Sequence, residues 1–200
     1  MKRTMSRLFD SRIQAEAAIR DLEAMGLPHD DLSIIARHSG AAEERSFEDK
    51  TRAAAGASKG AATGGLIGGG AGLLAGLGML AIPGLGPVVA AGWLASTAVG
   101  AVAGAAAGGA TGGLLGALKH EGVDEADANV YAEGVRRGAT LVSVRADDSM
   151  ADKVQAVFDR NEGVDAATRG AIYRQEGWTS FDENAPYEGD IRGMEDRRPI

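Results

Sequence analysis

The 200-residue chain carries 28 acidic against 21 basic side chains, a net charge of −7, with 30 glycines, no cysteine and only 4% aromatic residues. The acidic balance and the lack of a basic stripe argue against nucleic acid as a partner, and the missing cysteines remove disulfides, thiolate metal sites and cysteine nucleophiles together. A chain so poor in large aromatic side chains must pack partly by close backbone approach, so its charged flanks can build only a small core.

Met1 to Asp10 has three basic side chains, Lys2, Arg3 and Arg7, with a short apolar group, Met5, Leu8 and Phe9, and lacks the apolar run and small-residue cleavage site of a secretory signal. Ser11 followed by Gln14 is a capping-box pattern that opens a helix to Met25, with Ile13, Ala17 and Leu22 as its apolar face and Gly26 and Pro28 as its stop. Leu32 to Ala36 then reads as a buried strand, which completes a β-α-β unit over residues 1–40. Residues 41–53 are charged and read as a linker.

From Gly60 to Leu118 there is no Asp, Glu, Lys, Arg or His. The run is divided by Pro83-Gly84-Leu85-Gly86-Pro87, whose two prolines flank a turn, so residues 54–118 read as a two-armed helical hairpin, each arm exceeding the roughly 20 residues needed to cross a bilayer core. Gly56, Gly60, Gly64, Gly68, Gly72 and Gly76 recur every four residues in the first arm, and Gly92, Ser96, Gly100, Gly104, Gly108, Gly112 and Gly116 do so in the second. Residues four apart stack on one helix face, so each row is a smooth groove for close helix approach, a glycine zipper. Lys59 and Lys119 bracket the run, and the positive-inside rule would then put both flanks in the cytoplasm, with the hairpin in the bacterial inner membrane.

After the run, Val123 to Arg137 reads as a helix stopped by Gly138, and Thr140 to Arg145 as a strand. Ser149 with Asp152 reads as a capping pair for a helix that turns Met150, Val154, Val157 and Phe158 inward, and Ala166 to Tyr173 as the closing strand. Residues 119–176 thus mirror the first unit. The two together predict one α+β domain of ferredoxin-like type, four strands with the helices on one face, split by the glycine-zipper hairpin. Gly177 to Ile200 mixes Trp178, Phe181 and Tyr187 with mainly acidic charge and reads as a flexible tail.

The strand-helix-strand beginning Ser6-Arg7-Leu8-Phe9-Asp10, the glycine-zipper insertion, and Tyr131-Ala132-Glu133-Gly134-Val135-Arg136-Arg137-Gly138 leading into Thr140-Leu141-Val142-Ser143-Val144 together resemble the bacterial general stress protein 17M-like family, over about residues 4–174. The resemblance implies a link to general stress responses and brings no catalytic residue with it.

Chemical readings of the same residues are weak. Gly70 to Ala75 and Gly76 to Ala81 fit a relaxed dinucleotide pattern, but neither follows a strand in this reading, neither has an acidic residue some 20 positions on, and no Gly-Lys-Ser/Thr occurs. His29, His38 and His120 lack metal-site spacing, the Asp30-Asp31 and Asp147-Asp148 pairs read as helix-end residues, and no serine stands in a nucleophile elbow. No catalytic group, cofactor, metal or small-molecule substrate is therefore assigned. The expected partners are the lipid bilayer and further copies of the chain. Three functions stay open: a membrane-associated stress protein that oligomerises through the hairpin, a soluble homo-oligomer that buries it, and a pore-like membrane-perturbing protein.

Overall fold

The computed structural model describes residues 2–38, 78–82, 84–95, 97 and 113–184. Its strands are β1 (Lys2–Phe9), β2 (Leu32–Arg37), β3 (Gly78–Ile82), β4 (Gly86–Gly92) and β5 (Thr140–Asp147). Its helices are α1 (Arg12–Ala24), α2 (Gly113–His120), α3 (Glu125–Arg136), α4 (Ala151–Arg160) and α5 (Ala166–Gln175), with single 3-10 turns at His29–Asp31 and Asp148–Met150. The fold is α+β.

The strands form one sheet in the order β1-β5-β2-β4-β3, every neighbouring pair antiparallel. Strand β5 reads Leu-Val-Ser-Val and is apolar on both sides, as a strand covered on both faces should be. The edge strand β1 carries Lys2, Arg3 and Arg7, charges that discourage pairing with another chain.

Helices cover both faces of the sheet, not one. On the first face α1 and α4 pack Ile19, Leu22, Val154 and Phe158 onto Phe9, Ile34, Val142 and Val144. The Phe9 and Phe158 rings meet edge to face at 6.1 Å. On the second face α2 and α3 set Leu114, Leu118, Tyr131 and Val135 against Leu8, Ile35, Val88 and Leu141. The adjacent pairs Ile34-Ile35 and Leu141-Val142 point to opposite faces by the two-residue period of a strand, which is why one covered face could not bury them.

Helix α1 starts as its sequence dictates: the Ser11 side chain accepts from Gln14 N and the Gln14 side chain accepts from Ser11 N. Its buried face is Ala15, Ala18, Ile19 and Leu22, whereas Ile13 is 78% exposed and faces away. Ser149 does not cap α4, which follows a 3-10 turn with no side-chain cap.

The predicted closing strand is a helix. Asp165 caps α5, accepting from Thr168 N at 2.8 Å, so the chain turns helical where a strand was expected. Among the described residues only a single bridge, Leu8 to Val164, takes the edge position beside β1. The bond from Thr168 N holds the Asp165 carboxyl below its ordinary range, so this stabilisation is complete above the unfolded value and is lost as pH falls through the lowered one. Asp165→Ala should cost about 1 kcal/mol at neutral pH, and chemical denaturation in increasingly acid buffer should show the two proteins converging.

Strands β3 and β4 correct the middle of the predicted helical hairpin. The turn is where Pro83 to Pro87 was read, but it joins two strands, Gly78 pairing with Ala90 and Ile82 with Gly86. Among the described residues no helix is long and apolar enough to cross a membrane. The tail is corrected for residues 177–184: Phe181 is buried, its N–H donates to Asn129 Oδ1, and Trp178 meets Tyr173 edge to face at 5.8 Å.

Candidate functional site

The residues assigned to helix packing divide sharply. Gly92 ends β4 opposite Ser33 with φ +84°, and Gly116 lies partly exposed on α2. Gly56, Gly60, Gly64, Gly68, Gly72, Gly76, Ser96, Gly100, Gly104, Gly108 and Gly112 lie outside the described residues, as do Pro83, the linker 41–53 and residues 185–200. Gly84 and Gly86 serve the strand turn, with φ of +74° and +73°, and Leu85 N closes it on Ile82 O at 3.0 Å. Phe181 and Glu183 press against Gly84 so closely that an added Cβ would lie 2.7 Å from the Glu183 Cα.

At the far end of β4 a row of small residues crosses the sheet. Ser6, Ser143, Ser33 and Gly92 are successive register partners from β1 to β4. The Ser6 and Ser143 hydroxyls lie 2.7 Å apart, and Ser33 Oγ donates to Ala91 O at 2.8 Å, so these buried hydroxyls are satisfied within the sheet. Beyond Gly92 the chain continues into buried Trp93, over whose ring the Arg145 guanidinium sits at 4.6 Å. This is where the second glycine-rich segment leaves the sheet.

A cleft of about 340 Å³ runs along β1, lined by residues that include Arg3, Thr4, Ser6, Arg7, Asp127 and Tyr131. The Tyr131 hydroxyl donates to Ser6 O at 2.8 Å, and loss of water pushes its pKa up to about 12, so it keeps its proton and acts as a donor. Burial raises the Asp127 carboxyl above its ordinary value, aided by the charges of Asp124 and Asp165. Arg7 is held by Gln155 Oε1 at 2.5 Å. Among the described residues the cleft pairs no nucleophile with a base, and its groups serve to pin α3 and α4 to the sheet edge.

The second face holds a more concentrated charge arrangement at the C-terminal end of α3. Glu133 is fully buried, and its carboxylate accepts from Arg136 Nε and Nη2, both at 2.8 Å, and from Arg137 Nε at 2.6 Å. Arg37, the last residue of β2, donates through Nη1 to Arg136 O at 2.8 Å. Arg137 also pairs with Glu176 and lies over the Tyr173 ring at 4.1 Å. These three arginines and Glu133 line a cavity of about 310 Å³. The bonds to Glu133 raise the Arg136 pKa further above its already high value; at Arg137 burial pulls downward, but the carboxylates of Glu133 and Glu176 outweigh it.

Sequence reasoning missed this cluster. Its signal was present, since Glu133 stands three and four residues before Arg136 and Arg137, but such pairs usually mark a solvated helix face. Among the described residues no three His, Cys, Asp or Glu side chains gather for a metal ion. His29 Nδ1 lies 2.7 Å from Glu23 Oε1, a contact between α1 and the turn after it. No family model matches the chain, and no curated protein or solved structure matches it either.

Proposed function

We propose that this chain is a non-enzymatic self-associating protein whose glycine-rich segments, on either side of the β3-β4 hairpin, pack helix against helix with those of neighbouring copies. The α+β head is then the frame that holds the segments. The observation carrying this reading is the antiparallel pairing of Gly78–Ile82 with Gly86–Gly92 and of β4 with β2, which ties the middle of the apolar run to the sheet.

Each glycine-rich segment therefore leaves one sheet and returns to the same body, the first between His38 and Gly78, the second between Thr97 and Gly113. A bilayer-crossing segment with both ends on one side must cross an even number of times. Residues 60–77 and 98–112, at about 1.5 Å per helical residue, would reach roughly 27 and 22 Å, one crossing at most. Burial of the segments against one another or against other copies satisfies this topology, and a transmembrane hairpin tipped at Pro83 to Pro87 does not.

The pairing of Gly78 with Ala90 also brings the end of the first segment and the start of the second to neighbouring strands, about 5 Å apart as strands pack. Two zipper rows starting side by side and running in opposite directions have the arrangement in which small residues allow close backbone approach. A ferredoxin-like ancestry for the head rests on the strand order β1-β5-β2 with α1 and α4 on one face, the fourth strand reduced to the bridge at Val164. The resemblance to the general stress protein 17M-like family supports a role in stress responses.

The test is sedimentation and crosslinking of the full chain beside a Gly68→Leu, Gly104→Leu double variant. The expected result is a defined assembly that the double variant loses; a monomeric parent, or assembly indifferent to the two leucines, would sink the proposal. Membrane material from which alkaline carbonate releases no protein would restore the inserted reading instead.

A further inference from the structure

We propose that the cavity between Arg37, Arg136 and Arg137 is an anion site that takes a phosphate group, an assignment independent of how the glycine-rich segments assemble. Three guanidiniums from two elements, the end of β2 and the end of α3, converge on a cavity of about 310 Å³ whose one acidic lining residue among those described is Glu133. Both Glu133 oxygens are occupied by Arg136 and Arg137, so this carboxylate aims the two forks and is not left to repel a ligand.

Among the described lining residues three formal positive charges against one negative leave about +2, while the end of helix α3 contributes only about half a negative charge. Arg37 neutralises part of that by bonding the Arg136 carbonyl. Glu176, on the rim, is 53% exposed, and Asp182, whose charge also reaches Arg136, is exposed, so water and salt screen both. The bonds among the described residues engage a minority of the N–H groups that three guanidiniums carry, leaving planar donor edges of the kind that match the oxygens of a phosphate.

The size and shape narrow the ligand. The cavity is wide and open, able to hold a phosphate group with the first atoms of whatever bears it, and the described residues that line it are all charged and offer no apolar slot for a ring. Recognition is then of the phosphate itself, either free or on a phosphate-headed lipid. The site stands at Arg37, the last residue of β2.

The experiment is calorimetric titration of the full-length protein with inorganic phosphate, and in a second arm with phosphatidylcholine vesicles made with or without phosphatidic acid. Arg37→Gln tests the site without touching Glu133, and Glu176→Gln tests it in the opposite direction by freeing Arg137. The expected result is one phosphate per chain, bound at least about tenfold more weakly by Arg37→Gln and more tightly by Glu176→Gln. Binding only to the phosphatidic acid vesicles, with the same order of variants, would also support the site and assign its ligand to a lipid head. No response to either form up to about 10 mM phosphate, or a response that Arg37→Gln leaves unchanged, would overturn it.

Discussion

Gly92→Ala is expected to destabilise the protein by about 3 kcal/mol or more, because two penalties fall on one residue. Its φ of +84° is a conformation that L side chains rarely adopt. A Cβ there would also lie 2.1 Å from the Leu32 carbonyl oxygen and 2.8 Å from the Ser33 Cα, both backbone atoms of β2. A flexible side chain could swing aside, but a paired strand cannot, so β4 must shift away from β2 at this end. Urea denaturation should show the loss. The outcome also decides between two structures for the same residues, since alanine in place of a glycine within a helix stabilises by about 1 kcal/mol. A neutral or stabilising Gly92→Ala would return Gly92 to a helical zipper row and remove the β4 pairing on which the closed-segment topology rests.

The parts of the fold that were legible are those whose signals are local. The Ser11 and Gln14 box, the stop at Gly26 and the apolar runs of β2 and β5 each need only a few neighbouring residues to act. Around Gly78 to Gly92 the apolar run has no polar positions to set a period, so the four-residue glycine spacing prevailed over a weaker strand signal. That signal was Ile82, Val88 and Val89 around a proline-flanked turn whose glycines at 84 and 86 take positive φ. Ala166 to Tyr173 failed for a different reason: Asp165 followed by Thr168 is an N-terminal cap, and its hydrogen bond outweighs the strand propensity of the residues after it. The arginine cavity was least legible, because Arg37 reaches it from β2 and Glu133 is buried only once α3 lies on the sheet.

Glu133→Ala is expected to cost about 2–3 kcal/mol, and it separates two roles that a buried carboxylate can have. Removing it breaks three charge-assisted bonds at 2.6 to 2.8 Å and leaves Arg136 and Arg137 without their common acceptor. The loss stops short of that for a sealed ion pair, because the two arginine side chains are 29% and 34% exposed and can recover water. Glu133→Gln should lose less, keeping an amide oxygen for one fork while its amide hydrogens oppose the other. Their effect on phosphate then depends on what the carboxylate does. Were net charge the governing quantity, either substitution would raise the lining by one positive charge and tighten binding. Because Glu133 instead fixes the direction in which the two guanidiniums present their free edges, both substitutions should weaken phosphate binding despite the added charge. Tighter binding by Glu133→Gln, measured in the same titration with its fold verified by circular dichroism, would show that Glu133 only stabilises α3 and that the arginines act as a diffuse positive field.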